Sequence, residues 1–207
     1  MKEASFHTHS PYIQKKRETM IRNILETART IMREEGVAAL SMQELARRMN
    51  LRAPSLYHYF HSKMDVYDAL FRLGFTLYGE YLDRAYQGVQ SWQEYIQKSF
   101  ESYLAFAQEN PELHQLCFER PVPGFVPSEA SLQTGYELLD RAYRQVEMWK
   151  KIVKTDLTPQ QMVDLIIAVM HGLTAMHMAN QPETPAGQGR FGSLIPAAVA
   201  LFEEAWS

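Results

Sequence analysis

Apolar positions recur at three- and four-residue intervals in segment after segment of this chain, the spacing of one helix face. Over 19–35 that stripe is Met20, Ile24, Ala28, Ile31 and Met32, and Gly36 ends it. Val37 and Leu40 lead to Ser41, which can cap a helix with Met42, Leu45, Ala46 and Met49 facing inward. Glu44, three residues after the serine, completes a capping box. Asn50 tolerates the left-handed backbone of a sharp helix exit, and Pro54 suits the first turn of the next helix. That helix buries Leu56 and Phe60 together and leaves Ser55, Tyr57, His58 and Tyr59 for other surfaces. The pattern predicts two short helices and a tight turn, with 19–35 packed across them as a third wall.

From Lys63 a longer run carries Val66, Leu70, Phe71, Phe75, Tyr78 and Leu82, a connector between this head and the rest. Trp92, Ile96, Phe100, Tyr103, Leu104 and Ala107 mark a helix that Asn110-Pro111 stops, and 112–119 is the next. Pro121, Pro123 and Pro127 make 120–127 a loop. Ser128 caps a helix expected to reach about Lys154, with Leu132, Tyr136, Leu139, Tyr143, Val146 and Ile152 on its inner side. Thr158-Pro159 opens a helix over 159–180 that is apolar on nearly every side and therefore expected to be buried all round. Ala168, Gly172, Ala175 and Ala179 form a small-residue stripe on it, which lets another helix approach closely and reads as a dimer seam. After a Pro/Gly-rich loop, a last helix ends near Trp206 with Ile195, Val199 and Phe202 inside.

Charge sharpens this division. The net charge of −3 over 207 residues would argue against a polyanionic partner, but 1–63 carries +5 and 64–207 carries −8. Arg47, Arg48 and Arg52 flank the predicted turn and Lys63 follows the second helix, so cations frame an aromatic-polar helix of a size suited to a major groove. Residues 1–18, with the run Lys15-Lys16-Arg17, are expected to form a mobile basic arm. The absence of a run of eighteen uncharged apolar residues, together with a polar N-terminal segment, predicts neither a spanning helix nor a signal peptide, hence a cytoplasmic protein with no membrane partner. The single cysteine, Cys117, is in keeping with a reducing compartment.

Catalytic chemistry finds little support. No nucleophile and base set surrounds Cys117, His171 or His177, and no glycine-rich phosphate loop occurs. His7 and His9 are two histidines on a flexible segment. His114 and Cys117 can share a helix face, but without a third ligand a structural pair is the better reading, so no metal and no cofactor are expected. A redox role for Cys117 would need a lowered thiol pKa, and Arg120 is its only nearby cation in sequence. The aromatic, methionine and histidine residues Tyr103, Phe106, His114, Phe118, Tyr143, Trp149, Met170 and His171 are candidates for an apolar pocket with polar anchors, although ordinary core is built the same way.

Residues 20–70 resemble the N-terminal domain of the TetR family of transcriptional repressors. Ala28 and Gly36, Ser41-Met42-Gln43-Glu44-Leu45-Ala46, Pro54-Ser55-Leu56-Tyr57-His58-Tyr59-Phe60, Lys63, and Leu70-Phe71 carry the resemblance. The turn departs from the family's usual Gly-Val in reading Asn50-Leu51, and Asn is the next-best residue there. A narrower resemblance, through 110–125 and Val169-Met-His-Gly-Leu-Thr174, is to C-terminal domains named for a Trp-His-Gly signature, although no tryptophan precedes His171-Gly172 on this helix. The resemblance implies an all-α protein with a three-helix DNA-binding domain at 19–63 and a larger effector-binding and dimerisation domain at 64–207. It implies phosphate contacts from Ser41, Tyr57 and Lys63 and base contacts from Gln43, Pro54, Ser55 and His58. The partners implied are a palindromic double-stranded operator, a second copy of the chain and a small, largely apolar effector, with repression and activation both open. The rival reading is a helical effector-binding or protein-interaction protein that does not bind DNA; an enzyme is a more distant third.

Overall fold

The computed structural model describes residues 11–206, and every regular element among them is helical. Helix α1 runs Pro11–Glu35, eight residues longer at its start than the stripe at 19–35 predicts. Pro11 supplies a preset φ at the first helical turn, and Gln14 Nε2 donates to Glu18 Oε1 one turn on at 3.1 Å. The arm expected over 1–18 is therefore helix from residue 11 onward, while its first ten residues, with His7 and His9, lie outside the described residues. Gly36, at φ 96°, ends α1, and a short 3-10 turn, Val37–Ala39, leads to α2, Met42–Arg48. Asn50 takes the left-handed backbone at φ 54°, as the turn requires.

Helix α3 spans Ala53–Leu56, shorter than the pattern predicts, because Tyr57–Tyr59 form a turn in which the Tyr59 and Phe60 N–H groups both donate to the Leu56 carbonyl. Three successive ring side chains are poor helix formers, and the chain tightens there instead. Leu45, Leu56, Ile24, Ala28 and Ile31 are fully buried in the head's core.

The body comprises α4 (Lys63–Ala85), α5 (Trp92–Glu109), α6 (Pro111–Phe118), α7 (Glu129–Trp149), α8 (Pro159–Asn180), the single turn α9 (Gly189–Gly192) and α10 (Ile195–Ala205). Helix α4 belongs to both units. Its Tyr67 hydroxyl, fully buried, donates to the Val37 carbonyl of the head at 2.6 Å. Further along it, α6 approaches so closely that a Cβ at Gly74 would lie 2.5 Å from Cys117 Sγ. Helix α6 in turn touches α1, so the body grips the head at two places.

Two expectations for the body are corrected. Helix α7 ends at Trp149, because Lys150 turns back to donate to the Leu157 and Thr155 carbonyls and Lys154 N–H pairs with the Trp206 carbonyl; Ile152 is left exposed rather than inside. Helix α8 begins with the Thr158–Gln161 capping box, but it is not buried all round within one chain. Met162, Val163, Ile166, Met170, Thr174 and His177 face the core, whereas Leu165, Ile167, Ala168, Gly172, Met176 and Ala179 are exposed. By length and composition alone α8 would suffice to cross a membrane; here it packs against α5, α7 and α9.

Candidate nucleic-acid interface and ligand cavity

Around the turn of the head, the predicted DNA-facing residues are largely free of the core. Gln43, Arg47, Arg52, Pro54, Tyr57, His58 and Lys63 are exposed, and Ser41 and Ser55 are half-buried. Ser41 Oγ accepts the Glu44 N–H at 3.1 Å and so fixes the first turn of α2. Glu44 does not return to the serine backbone, so only half of the predicted capping box forms. Its carboxylate instead accepts Arg47 Nε at 2.7 Å and Arg48 Nε at 2.8 Å, and these two guanidinium groups hold it at a pKa of about 2.

Arg47 remains mostly open to solvent, but Arg48 does not. Its two terminal nitrogens donate to Glu34 and Glu35 at the end of α1, which ties that guanidinium to three carboxylates. The expectation that Arg48 frames the groove-facing helix is thus replaced by an internal role: it clamps α2 to α1. The reason is long-range, since Glu34 and Glu35 lie on the preceding helix. A complementary brace came from the supposed arm, where Arg17 Nη1 donates to the His58 carbonyl at 3.3 Å and lies over the Tyr59 ring.

In the body, a cavity of about 570 Å³ lies between α4, α5, α7 and α8. Phe71, Phe75, Tyr78 and Leu82 supply one wall, Leu132, Gly135, Leu139, Ala142 and Val146 the opposite one. Of the eight predicted pocket residues, Phe118 and Met170 line this cavity; Tyr103, Phe106, His114, Tyr143, Trp149 and His171 do not. Tyr103 instead packs edge-on against Tyr78 and Phe118, and its hydroxyl lies 2.8 Å from His171 Nδ1. Phe106 packs tilted against Tyr78 and edge-on against Tyr81, filling the core between α4 and α5. Trp149 lies edge-on against Tyr95, and Tyr143 lies at a half-exposed site near Asp164.

The missed lining is the inner stripe of α7. Its signal was present, for Leu132, Leu139 and Val146 recur on one face of α7 with Gly135 and Ala142 among them, and at Gly135 the helix packs directly against Phe75 of α4.

Burial suppresses the ionisation of His114 and of Cys117. Burial, with His171 nearby, pushes His114 down to about 4, and its Nε2 has no hydrogen-bond partner among the described residues. Burial drives the Cys117 thiol far above the usual range, the opposite of a redox-reactive thiolate. Among the described residues no group of three or more His, Cys, Asp or Glu side chains comes together to hold a metal.

A helix-turn-helix head on a helical body with an apolar cavity open to solvent is the architecture of a class of transcriptional regulators. Residues 24–70, within the head, match the model of the bacterial regulatory proteins of the tetR family, and the larger helical domain follows the match. The HTH-type transcriptional regulator Rv1816 of Mycobacterium tuberculosis is 25% identical over 111 residues, which cover 53% of this chain and 47% of that protein. The matched region thus spans about half the length of this curated relative. Among solved structures, a protein of unknown function from Rhodococcus sp. RHA1 superposes with a TM-score of 0.76 at 20% identity, covering 99% of both chains. AibR in complex with isovaleryl coenzyme A and operator DNA superposes at 0.64 and 17% identity, covering 87% of this chain and 96% of AibR. The matching family model is that of regulatory proteins, and Rv1816 is a transcriptional regulator rather than an enzyme.

Proposed function

We propose that this chain is a cytoplasmic, ligand-responsive repressor that binds a palindromic operator as a homodimer and releases it when a small, largely apolar effector fills the α4–α7 cavity. The observation that carries the reading is the pairing of an open cationic and aromatic surface on the head with a cavity whose wall, α4, is also the head's anchor. Phosphate contacts fall to Ser41, Tyr57 and Lys63, with Arg47 and Arg52 beside them; base edges fall to Gln43, Pro54, Ser55 and His58. Arg48, held by three carboxylates, is left out.

The seam assigned to α8 is supported by its uncovered apolar face: a Cβ at Gly172 would meet nothing within 4 Å, and Ala168, Ala179, Leu165 and Met176 are exposed, with Ala175 partly so. Leu194 and Leu201, beside and on α10, are also exposed. A two-fold dimer would then present two heads to half-sites one helical turn apart. The placing of the body in the Trp-His-Gly subgroup rests on the sequence resemblance through 110–125 and His171-Gly172.

Transmission has a visible route. The Asp68 carboxylate of α4 accepts the Ser128 N–H at 2.7 Å and the Ser131 hydroxyl at 2.8 Å, joining the start of α7 to α4 just below the head. A ligand that spreads α7 from α4 therefore pulls on the helix that carries the head. By linkage it must bind the DNA-incompetent state more tightly, since equal affinity shifts nothing.

Selection from random duplexes with the purified protein tests the reading. It should enrich a two-fold palindrome; failure to enrich any sequence would favour a helical ligand-binding protein without DNA.

A further inference from the structure

The cavity is polarised along its length. Helices α4 and α7 run parallel beside it: a Cβ at Gly135 would touch the Phe75 ring, one at Gly79 would touch Leu138, and Arg141 pairs with Asp83. From Phe71 to Tyr86 this wall extends about 22 Å at the helical rise. Near the head the lining is Phe71, Phe75, Phe118 and Leu132; at the far end it is Tyr86, Tyr95 and Ser99.

The protons at that far end are already allotted. Ser99 Oγ donates to the Tyr95 carbonyl at 2.7 Å, so at 2.8 Å it accepts from the Tyr86 hydroxyl. Each of those hydroxyls has one proton, and both are used; the Tyr95 hydroxyl is hydrogen-bonded to Tyr86 in turn, so it is engaged as well and one acceptor position on the Tyr86 oxygen is left. The Tyr86 oxygen keeps free acceptor capacity. Its ring stacks on Tyr95 with centroids 4.1 Å apart, which fixes its position. The cations that line the cavity, Arg141 and Arg144, are exposed on α7, and Arg141 is committed to Asp83. Gln145 adds a neutral amide.

We infer that the effector is an elongated neutral molecule ending in a hydroxyl group, which donates to the Tyr86 oxygen while the apolar body lies along α4 toward the head. This rests on the cavity being the effector site. A carboxylate in the same place would set lone pairs against lone pairs, and Arg141, the cation that acts on Tyr95, is already paired with Asp83. Burial also holds Tyr86 and Tyr95 above the ordinary tyrosine range, so this end of the cavity stays neutral.

The test is displacement of the neutral dye Nile red from the full-length protein by 1-dodecanol and by dodecanoate at pH 8. The alcohol should displace the dye at a concentration at least tenfold below the carboxylate. Tyr86→Phe, which keeps the ring stack, should retain the dye and shrink that preference below threefold. Ser99→Ala, which frees the Tyr86 proton, should shift the preference toward dodecanoate. Equal displacement by both probes in the native protein, or an unchanged preference in both variants, overturns the hydroxyl assignment. Ala142→Trp, filling the cavity, should abolish dye binding. If a folded Ala142→Trp protein, checked by circular dichroism, still binds dye as before, the cavity is not the ligand site and the effector reading falls with the proposal.

Discussion

Arg29 of α1 donates through Nε to Glu112 of α6 at 2.7 Å, 83 residues away along the chain, and both side chains are buried. Arg33 adds a second bond to the same carboxylate at 2.6 Å, and Arg29 also reaches Asn110 Oδ1 at 2.7 Å. Glu112 lies in the first turn of α6, where the helix end favours a negative charge. The network is therefore a polar joint between head and body. Removing the carboxylate strands a buried guanidinium, so Glu112→Leu should cost about 3 kcal/mol in urea unfolding. Adding Arg29→Met should recover most of that loss. A Glu112→Leu protein as stable as the native one would remove the joint from the account.

His114 gives the body a pH dependence of defined sign. Its folded pKa of about 4 lies below the ordinary 6.5, so the unfolded chain binds the extra proton first. Its contribution is fully present above about pH 6.5 and is lost as the pH falls toward 4, on the order of 3 kcal/mol in total. The groups around it are His171, Tyr103 and, at 3.5 Å from Nδ1, Glu119. His114→Phe should flatten the stability profile over that window without lowering stability at pH 7.5, because Nε2 has no partner to lose. A profile in the variant as steep as the native one would assign the acid sensitivity elsewhere.

On the head, Lys63 and Arg48 should behave oppositely. Lys63→Ala is expected to weaken operator binding across sequences and reduce the slope of log K against log salt by about one. Arg48→Ala should leave that slope unchanged and lower thermal stability, since its guanidinium is bound within the head. A reduced salt slope for the Arg48 variant would return that residue to the phosphate set.

The α8 seam is tested by Gly172→Glu. The site is open in the single chain and helical, so the substitution spares the monomer's packing and improves helix propensity. Sedimentation should then show a monomer of native secondary structure. A dimer as tight as the native one would move the interface off this face.

What the sequence disclosed and what it hid follow a physical division. Local signals were readable: Ser41, Asn50, Pro54, Thr158-Pro159 and the prolines of 120–127 each set the backbone within a few residues of themselves, and the helices begin or break there. Long-range choices were not. The partners of Arg48 sit on α1, thirteen and fourteen residues upstream, and nothing local to α2 signals that capture. The cavity was misplaced for a related reason: Tyr103 and Phe106 have the residue types of a pocket wall, and only the packing of Tyr78 and Phe118 against Tyr103 shows that no space is left beside it. Helix α8 was read as buried all round from its apolar sides, but a single chain covers only one of them.

The central claim, a DNA-binding regulator controlled from the α4–α7 cavity, is tested most directly by operator affinity across a salt series, with and without Ala142→Trp. Fluorescence anisotropy on a selected palindromic duplex should show steep loss of affinity with salt in the native protein. If the filled cavity spreads α7 from α4, Ala142→Trp should weaken operator binding tenfold or more at every salt concentration. Equal affinity for the palindrome and a scrambled duplex, with no effect of Ala142→Trp, would contradict the account.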